Sequence, residues 1–190
     1  MTLLTPVILG ILAGFFTKAV DLAEDNKSGL NKYIVYLMGI TYGLVLALTA
    51  SNYSYIAPLV VGVVAAVVVA GKIDAGGHYF GIGSFLFFLL IFGRNPVAAV
   101  PAVIFFLAAL LDEKVNDLFD SRRIRLRPKA FRMMLRYRPF LEVTAFIFAA
   151  LTGLWLVWFY LLAFDITYLL TPQVMKGINN FSAGKKKKAY

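Results

Sequence analysis

Four carboxylates follow an apolar segment in the stretch ALLDEKVNDLFDSRR, which covers residues 109–123. They are Asp112, Glu113, Asp117 and Asp120. In a helix, residues three or four apart share a face, so Asp117 and Asp120 would lie together with Glu113 one turn earlier. Their mutual repulsion grows near lipid, and water, a neighbouring lysine or a divalent cation can relieve it. The stretch therefore predicts either a solvated helix end or a site that binds something positive.

A second acidic cluster follows the first apolar segment of the chain. Asp21, Glu24 and Asp25 would share one helix face, with Lys18 one turn before them. Carboxylates without cysteine or clustered histidine suit a hard ion such as Mg²⁺, which water and a substrate phosphate usually complete. We therefore predict a magnesium site with these ligands: Asp21, Glu24, Asp25, Asp117 and Asp120. The alternative is that Lys18 and Lys114 neutralise the acids as ion-pair partners.

The two clusters share the pattern K-x-x-D-L-x-[DE]. It runs from Lys18 to Glu24 and again from Lys114 to Asp120, 96 residues later. An even number of predicted spans separates the copies, so both would point in the same direction. The pattern favours a parallel internal repeat of the kind found in membrane proteins.

A glycine-rich connection, GKIDAGGHYFGIG at residues 71–83, carries a third set of polar side chains. Its glycines let the backbone turn sharply or approach a ligand closely, and it holds Lys72, Asp74 and the chain's one histidine, His78. The connection is either a third wall of the acidic site or an ordinary turn in the headgroup region. On the first interpretation the predicted catalytic residues are Asp117, Asp120, Lys72, Asp74 and His78. The cations predicted to hold the phosphates are Lys18, Lys114, Arg122 and Arg123.

The composition indicates an integral membrane protein. Hydrophobic residues make up 61% of the 190-residue chain and charged residues 15%, against about 45–50% and about 25% in soluble proteins. The absence of cysteine excludes disulfides and thiolate chemistry. Since a membrane helix needs roughly 20 apolar residues, we predict an all-α transmembrane bundle. Its six spans would cover residues 3–20, 33–50, 56–71, 81–92, 97–111 and 141–164, the first being a retained helix and not a signal peptide.

Charge divides the connections into two kinds. The segments 21–32, 71–81 and 112–140 are charged and contain eight of the ten acidic residues, whereas 51–55 and 93–96 are nearly uncharged. The positive-inside rule places the charged connections in the cytoplasm of a multi-pass cell-membrane protein, with the N-terminus outside. With six spans the C-terminus would lie outside too, which leaves the lysines at 185–188 on the wrong side.

Two further segments have a distinct composition. The basic segment 121–140 interleaves arginines with apolar residues, so it predicts an interfacial helix whose residues 122–138 contact anionic lipid headgroups. We predict one transmembrane domain over residues 1–171 and a polar, basic tail over 172–190. The excess of nine positive charges does not indicate nucleic-acid binding, because no recognition module accompanies it.

The stretch Asn116-Asp117-Leu118-Phe119-Asp120 resembles the start of the N-D-x-x-D-x-x-x-D motif of the UbiA-type intramembrane prenyltransferases. The order from Asp21 through Glu24 and Asp25 to Gly29 is similar to that family's second motif, D-x-x-D-x-x-x-D-x-x-x-G. The resemblance implies Mg²⁺ and a prenyl diphosphate bound on the cytoplasmic side. Isoleucine stands at 124 where the family has a third aspartate, and the family usually has nine spans.

The residues and their spacing leave three functions open. The preferred one is a Mg²⁺-dependent transferase or hydrolase that acts on a lipid or prenyl (di)phosphate at the cytoplasmic face. The first alternative is a small cation or solute transporter or channel. The second is a non-catalytic membrane subunit or scaffold that docks a partner or anionic lipid. The sequence does not fix the oligomeric state.

Overall fold

Seven helices and no strand make up the part of the chain that the computed structural model describes. The described residues are 4–25, 30–73, 75–93, 96–120 and 138–187, without the side chains of 119, 120 and 177–187. The helices are α1 (Leu4–Asp25), α2 (Lys32–Asn52), α3 (Ala57–Val69), α4 (Gly76–Phe92), α5 (Ala99–Asp120), α6 (Pro139–Thr152) and α7 (Trp155–Lys187).

The all-helical prediction agrees with the structure, and the first five predicted spans overlap α1 to α5, of which α5 continues nine residues further. The number of membrane crossings stays a prediction. The prediction of one sixth span over 141–164 is wrong, because two helices occupy that segment. Gly153 separates them with φ of 74°, a left-handed conformation that glycine adopts readily, and its N–H closes α6 on the carbonyl of Ala149. Since Thr152-Gly153-Leu154-Trp155 carries no charge, the turn is inconspicuous in the sequence.

Six of the helices form a closed ring. Following the contacts around it, the order is α1, α2, α3, α5, α6, α7 and back to α1, while α4 packs mainly on α2 and touches α1. Large apolar side chains that the ring buries include Ile56, Leu59, Phe105 and Leu141. A cavity lies among these helices.

Glycines bring the most closely packed helix pairs together. A Cβ atom on Gly10 would lie 2.6 Å from the Tyr160 carbonyl, and one on Gly14 would overlap the backbone of Phe164. Because Gly10 meets Tyr160 and Gly14 meets Phe164, α1 and α7 run in the same direction. Small residues four apart let helix backbones approach closely, as in membrane helix pairs.

The same geometry joins α2 to α4. Gly39 lies against the backbone of Gly77, and Gly43 lies against that of Gly81. These two helices are therefore parallel as well. Gly62 makes the corresponding contact between α3 and α5, where an added Cβ would be 2.6 Å from the Ala102 carbonyl.

Three of the described helices are long and apolar enough to cross a membrane: α1, α2 and residues 155–176 of α7. The helices α3, α4 and α6 are apolar but shorter. Large hydrophobic side chains are exposed along these helices, for example Leu90 at 86% and Leu151 at 82%. Such exposure fits a lipid environment, because water would penalise an apolar surface of this extent.

Candidate binding pocket at the charged end of the bundle

A partly open cavity of about 680 Å³ lies among the helices of the ring and α4, near the C-terminal ends of α1 and α5. Pockets that bind small molecules usually measure about 300–1,000 Å³. Its polar wall includes Lys18, Asp21, Asp25, Tyr42, Lys72, His78, Glu113, Asn116, Arg138 and Tyr168. Its apolar wall includes Leu46, Leu59, Val60, Val63, Val64, Leu161 and Phe164. The cavity is therefore amphiphilic, with charged groups on one part of the wall and hydrocarbon on another.

Asp21 is the centre of the polar wall. Its Oδ1 atom lies 2.8 Å from Nε2 of His78, and its Oδ2 atom lies 3.3 Å from Nζ of Lys18. The hydroxyl of Tyr168 donates to the same Oδ2, and the Lys18 ammonium also lies 4.6 Å from the centre of the Tyr168 ring. Three donors from α1, α4 and α7 thus satisfy one carboxylate.

The start of α4 fixes the position of His78. The backbone N–H of Gly77 donates to Oε1 of Glu24 at 2.9 Å, which ties the first turn of α4 to α1. On its other side, Nδ1 of His78 lies 3.2 Å from the hydroxyl of Tyr42. Both ring nitrogens therefore have a partner, and the ring is held between α1 and α2.

Two ion pairs cross between helices at the same end of the bundle. Lys72, just after α3, pairs with Asp117 of α5, and both side chains remain substantially exposed. Arg138 pairs with Glu113 at 2.9 Å, and the Glu113 side chain is only 10% exposed. Exposed pairs contribute little to stability because water screens them, so a ligand can exchange partners with Lys72 and Asp117 at low cost.

Asp112 caps the start of α6. Its carboxylate accepts backbone hydrogen bonds from Phe140 at 3.1 Å and Leu141 at 2.8 Å, and the residue is 1% exposed. Asp112 follows the apolar part of α5, and burial raises the pKa of its carboxyl to about 6, although both hydrogen bonds and Arg138 lower it. The cap holds the start of α6. Arg138, the residue immediately before α6, has a left-handed backbone conformation with φ of 53°.

The structure brings several of the predicted site residues together. Lys18, Asp21, Asp25, Lys72 and His78 line the cavity, and Asp117 lies beside it through its pair with Lys72. The two repeat aspartates, Asp21 and Asp117, contact the connection 71–81, part of which lines the cavity. The role of this connection in a site stays a prediction. The internal repeat itself stays a hypothesis.

Other predicted residues lie elsewhere. Glu24 holds Gly77 and is not on the cavity wall, and Lys114 is exposed on α5 away from it. The predictions for Asp74, Arg122, Arg123, the side chain of Asp120 and the interfacial segment up to residue 137 lie outside the described residues.

The sequence did not reveal the roles of Tyr42 and Tyr168 or the pairing of Arg138 with Glu113. Tyr42 and Tyr168 are tyrosines among many aromatic residues, and no spacing distinguishes them. Their role depends on which helices are neighbours, and that information is tertiary. The one available signal for their roles was a tyrosine hydroxyl within an apolar segment, because buried tyrosine hydroxyls usually have a hydrogen-bond partner.

The carboxylates at the pocket have the oxygen chemistry that Mg²⁺ prefers, and Mg²⁺ in phosphate sites uses only one or two carboxylates beside the phosphate. Among residues with described side chains, no group of three or more acids and histidines is arranged to hold a metal ion. Asp25 and Asp117 are the more accessible of these acids, whereas three donors already engage Asp21. No protein-family model, curated protein or solved structure matches this chain.

Proposed function

We propose that this is an integral membrane enzyme that binds a lipid or prenyl (di)phosphate in the cavity and transfers or hydrolyses it with Mg²⁺. The observation that carries the proposal is the cavity itself, which joins a wall of charged residues to a wall of aliphatic ones. An amphiphile with an anionic head and an apolar tail matches both walls. A soluble metabolite would leave the aliphatic wall unused, and a plain hydrocarbon would leave the charges unused.

The headgroup would contact three cations, Lys18, Lys72 and Arg138. Each of them is paired with a carboxylate. At the Lys72–Asp117 pair, a phosphate that arrives with a metal ion satisfies both partners, because Lys72 takes phosphate oxygens and Asp117 takes the metal. This exchange leaves no charge without a partner. An unpaired charge near lipid would carry a large free-energy penalty.

Mg²⁺ would be held by Asp25 and Asp117, with the predicted ligand Asp120 as a further candidate. When bound, it supplies charge neutralisation for the phosphate oxygens, which is the main requirement of such reactions. Lys72 and Arg138 would orient the headgroup. The tail would lie against the aliphatic wall formed by α2, α3 and α7.

The proposed orientation places the charged end of the bundle in the cytoplasm. If all seven helices cross the membrane, the N-terminus lies outside and the C-terminus inside. The lysines at 185–188 then obey the positive-inside rule, which the prediction of six spans violated. The parallel direction of α1 and α7 supports this arrangement, since α7 ends on the side where α1 ends.

The proposal is tested by turnover of a substrate panel with purified protein in lipid nanodiscs. Geranylgeranyl diphosphate, a polyprenyl phosphate and phosphatidic acid are offered with Mg²⁺ or with EDTA, with and without a lipid alcohol acceptor. We expect one substrate class to release phosphate or diphosphate, or to transfer its lipid, only when Mg²⁺ is present. No Mg²⁺-dependent conversion of any of the three would contradict the proposal.

Matched variants locate the activity. Lys72→Met and Asp117→Asn should each reduce turnover by at least 10-fold, because both remove a charge that the headgroup or metal uses. Lys114→Met is the control, since Lys114 lies on the same helix as Asp117 but away from the cavity. Equal losses in Lys114→Met and Lys72→Met would show that the cavity is not the site.

A transporter is the second candidate, and one observation favours it. Asp165 lies near the middle of the apolar stretch 155–176 of α7, and its buried Oδ2 atom has no hydrogen-bond partner among the described residues. Ionisable groups at such positions often carry ions or protons across membranes. If Asp165→Asn abolishes cation flux into proteoliposomes while the panel shows no turnover, the transporter replaces the enzyme.

A further inference from the structure

His78 occupies a position in the pocket that neither phosphate binding nor metal binding explains. It lines the cavity, its side chain is 16% exposed, and both ring nitrogens are engaged by side chains of other helices. We propose that His78 is the proton acceptor of the pocket, and that Asp21 and Tyr42 are the residues that position it. This proposal rests on the proposed function and narrows it to a reaction in which a hydroxyl group is the nucleophile.

The hydrogen bonds define the tautomer of the neutral ring. The Asp21 carboxylate can only accept, so Nε2 of His78 must carry the proton that it donates at 2.8 Å. Nδ1 then has a free lone pair, to which the Tyr42 hydroxyl donates at 3.2 Å. Asp21 thus orients the ring and would stabilise its positive charge, as the carboxylate does in a histidine–aspartate pair.

Tyr42 allows His78 to take up a proton without moving the ring. Its hydroxyl lies 3.2 Å from Nδ1 and 3.3 Å from the backbone carbonyl oxygen of the same residue. When Nδ1 is free, the hydroxyl can donate to it. When Nδ1 becomes protonated, the hydroxyl can turn toward the carbonyl and accept from the ring. The site therefore accommodates both protonation states.

The surroundings hold this arrangement in place. The Glu24 carboxylate accepts the backbone N–H of Gly77, one residue before His78, so the backbone that carries the ring is held against α1. Lys18 and Tyr168 occupy the other oxygen of Asp21, which prevents that carboxylate from turning away. The charged or titratable groups around His78 are Lys18, Asp21 and Glu24 of α1, Tyr42 of α2 and Tyr168 of α7.

The chemical step follows from these positions. A water molecule or a lipid alcohol would enter the cavity beside Nδ1, displacing the Tyr42 hydroxyl to the carbonyl. Its O–H proton passes to Nδ1 as its oxygen bonds to phosphorus, and the bond from phosphorus to the leaving oxygen breaks with its electron pair. The imidazolium then returns the proton to the leaving oxygen or to water. General base catalysis of this kind contributes about 10²–10⁴-fold.

The first test needs no substrate, because it observes the His78 ring directly. The chain contains a single histidine, so the ring signals can be assigned to His78. Protein labelled with ¹⁵N-histidine is examined by NMR in nanodiscs at a pH where the ring is neutral. We expect the Nε2–H tautomer alone, a mixture of tautomers in Asp21→Asn, and the Nε2–H tautomer retained in Tyr79→Phe, the matched control on the exposed face of α4. Predominance of the Nδ1–H tautomer in the wild type would overturn the proposal.

The second test uses the phosphate substrate that the panel identifies. His78→Ala should lower turnover by about 100-fold or more, and added imidazole should restore part of the rate. Tyr42→Phe should lower turnover less and leave binding of the substrate unchanged. A wild type without any turnover contradicts the proposed function, whereas an active wild type with an equally active His78→Ala contradicts only the role of His78.

Discussion

Asp112 is buried between α5 and α6, where its two oxygens accept the backbone hydrogen bonds of Phe140 and Leu141. The sequence placed it in an acidic cluster, yet its contacts are those of a helix cap. Asp112→Ala would leave the N–H groups of Phe140 and Leu141 without acceptors, the second of them buried, and should lower stability by about 2 kcal/mol. Thermal unfolding in detergent measures this, and Asp117→Ala, which removes an exposed ion pair, should cost less than about 1 kcal/mol.

The same carboxyl should make stability depend on pH. Burial raises the pKa of Asp112 to about 6 from 3.8, so the folded state holds this proton more tightly than the unfolded state. Stability from this group is therefore greatest at low pH and falls as pH rises from about 4 to about 6.

Asp112→Asn isolates that contribution, because asparagine keeps an acceptor oxygen but does not titrate. The wild type should lose stability relative to Asp112→Asn between pH 4 and pH 6, and the difference should stay constant above pH 7. Melting temperatures of both proteins across this range give the comparison. A difference that is the same at pH 4 and pH 7 would show that the carboxyl is not buried as described.

At the scale of helices, glycine contacts determine which elements pair. A methyl group on Gly43 would overlap the Gly81 backbone, so Gly43→Ala should separate α2 from α4 and cost about 1–3 kcal/mol. Gly83→Ala is the control on α4, because nothing lies within 4 Å of its Cβ position. It should be neutral or stabilising by up to about 1 kcal/mol, since alanine favours helices. Equal losses in both variants would contradict this packing.

The sequence predicts helices better than it predicts where they turn. Apolar length located α1 to α5 because each is bounded by charge, proline or glycine-rich connections. The turn at Gly153 escaped because it lies within apolar sequence and depends on one positive φ. Pairing between helices could not be predicted either, since Gly10, Gly39 and Gly62 contact partners far along the chain.

At the scale of the whole molecule, the number of membrane crossings decides which residues lie on the same side of the membrane. The chain has no cysteine, so single introduced cysteines report accessibility without background. Lys32→Cys and Gln173→Cys should react from one side of sealed vesicles, and Ser54→Cys and Leu154→Cys from the other. If residue 173 instead reacts together with residue 54, α6 and α7 do not cross separately and the proposed orientation is wrong.

The pocket residues show how much of a site can be predicted from composition and spacing. One of the two interpretations of the connection 71–81 put Lys72 and His78 beside Asp21 and Asp117, and the structure places all four at one end of the bundle. Spacing could not show that internal donors already saturate Asp21, because those come from α4 and α7 as well as from α1. Metal binding thus remains a prediction that depends on Asp25, Asp117 and residues outside the described part.

The most direct test of the central claim is equilibrium binding of Mn²⁺, a spectroscopic substitute for Mg²⁺, followed by electron paramagnetic resonance. The measurement is made with and without geranylgeranyl diphosphate or phosphatidic acid, on wild type, Asp117→Asn and the Lys114→Met control. We predict saturable binding that is at least 10-fold tighter with one lipid phosphate, weakened by Asp117→Asn and unchanged by Lys114→Met. Two results would contradict a metal-dependent lipid phosphate pocket. One is the absence of Mn²⁺ binding, and the other is an Mn²⁺ affinity that neither lipid nor Asp117→Asn changes.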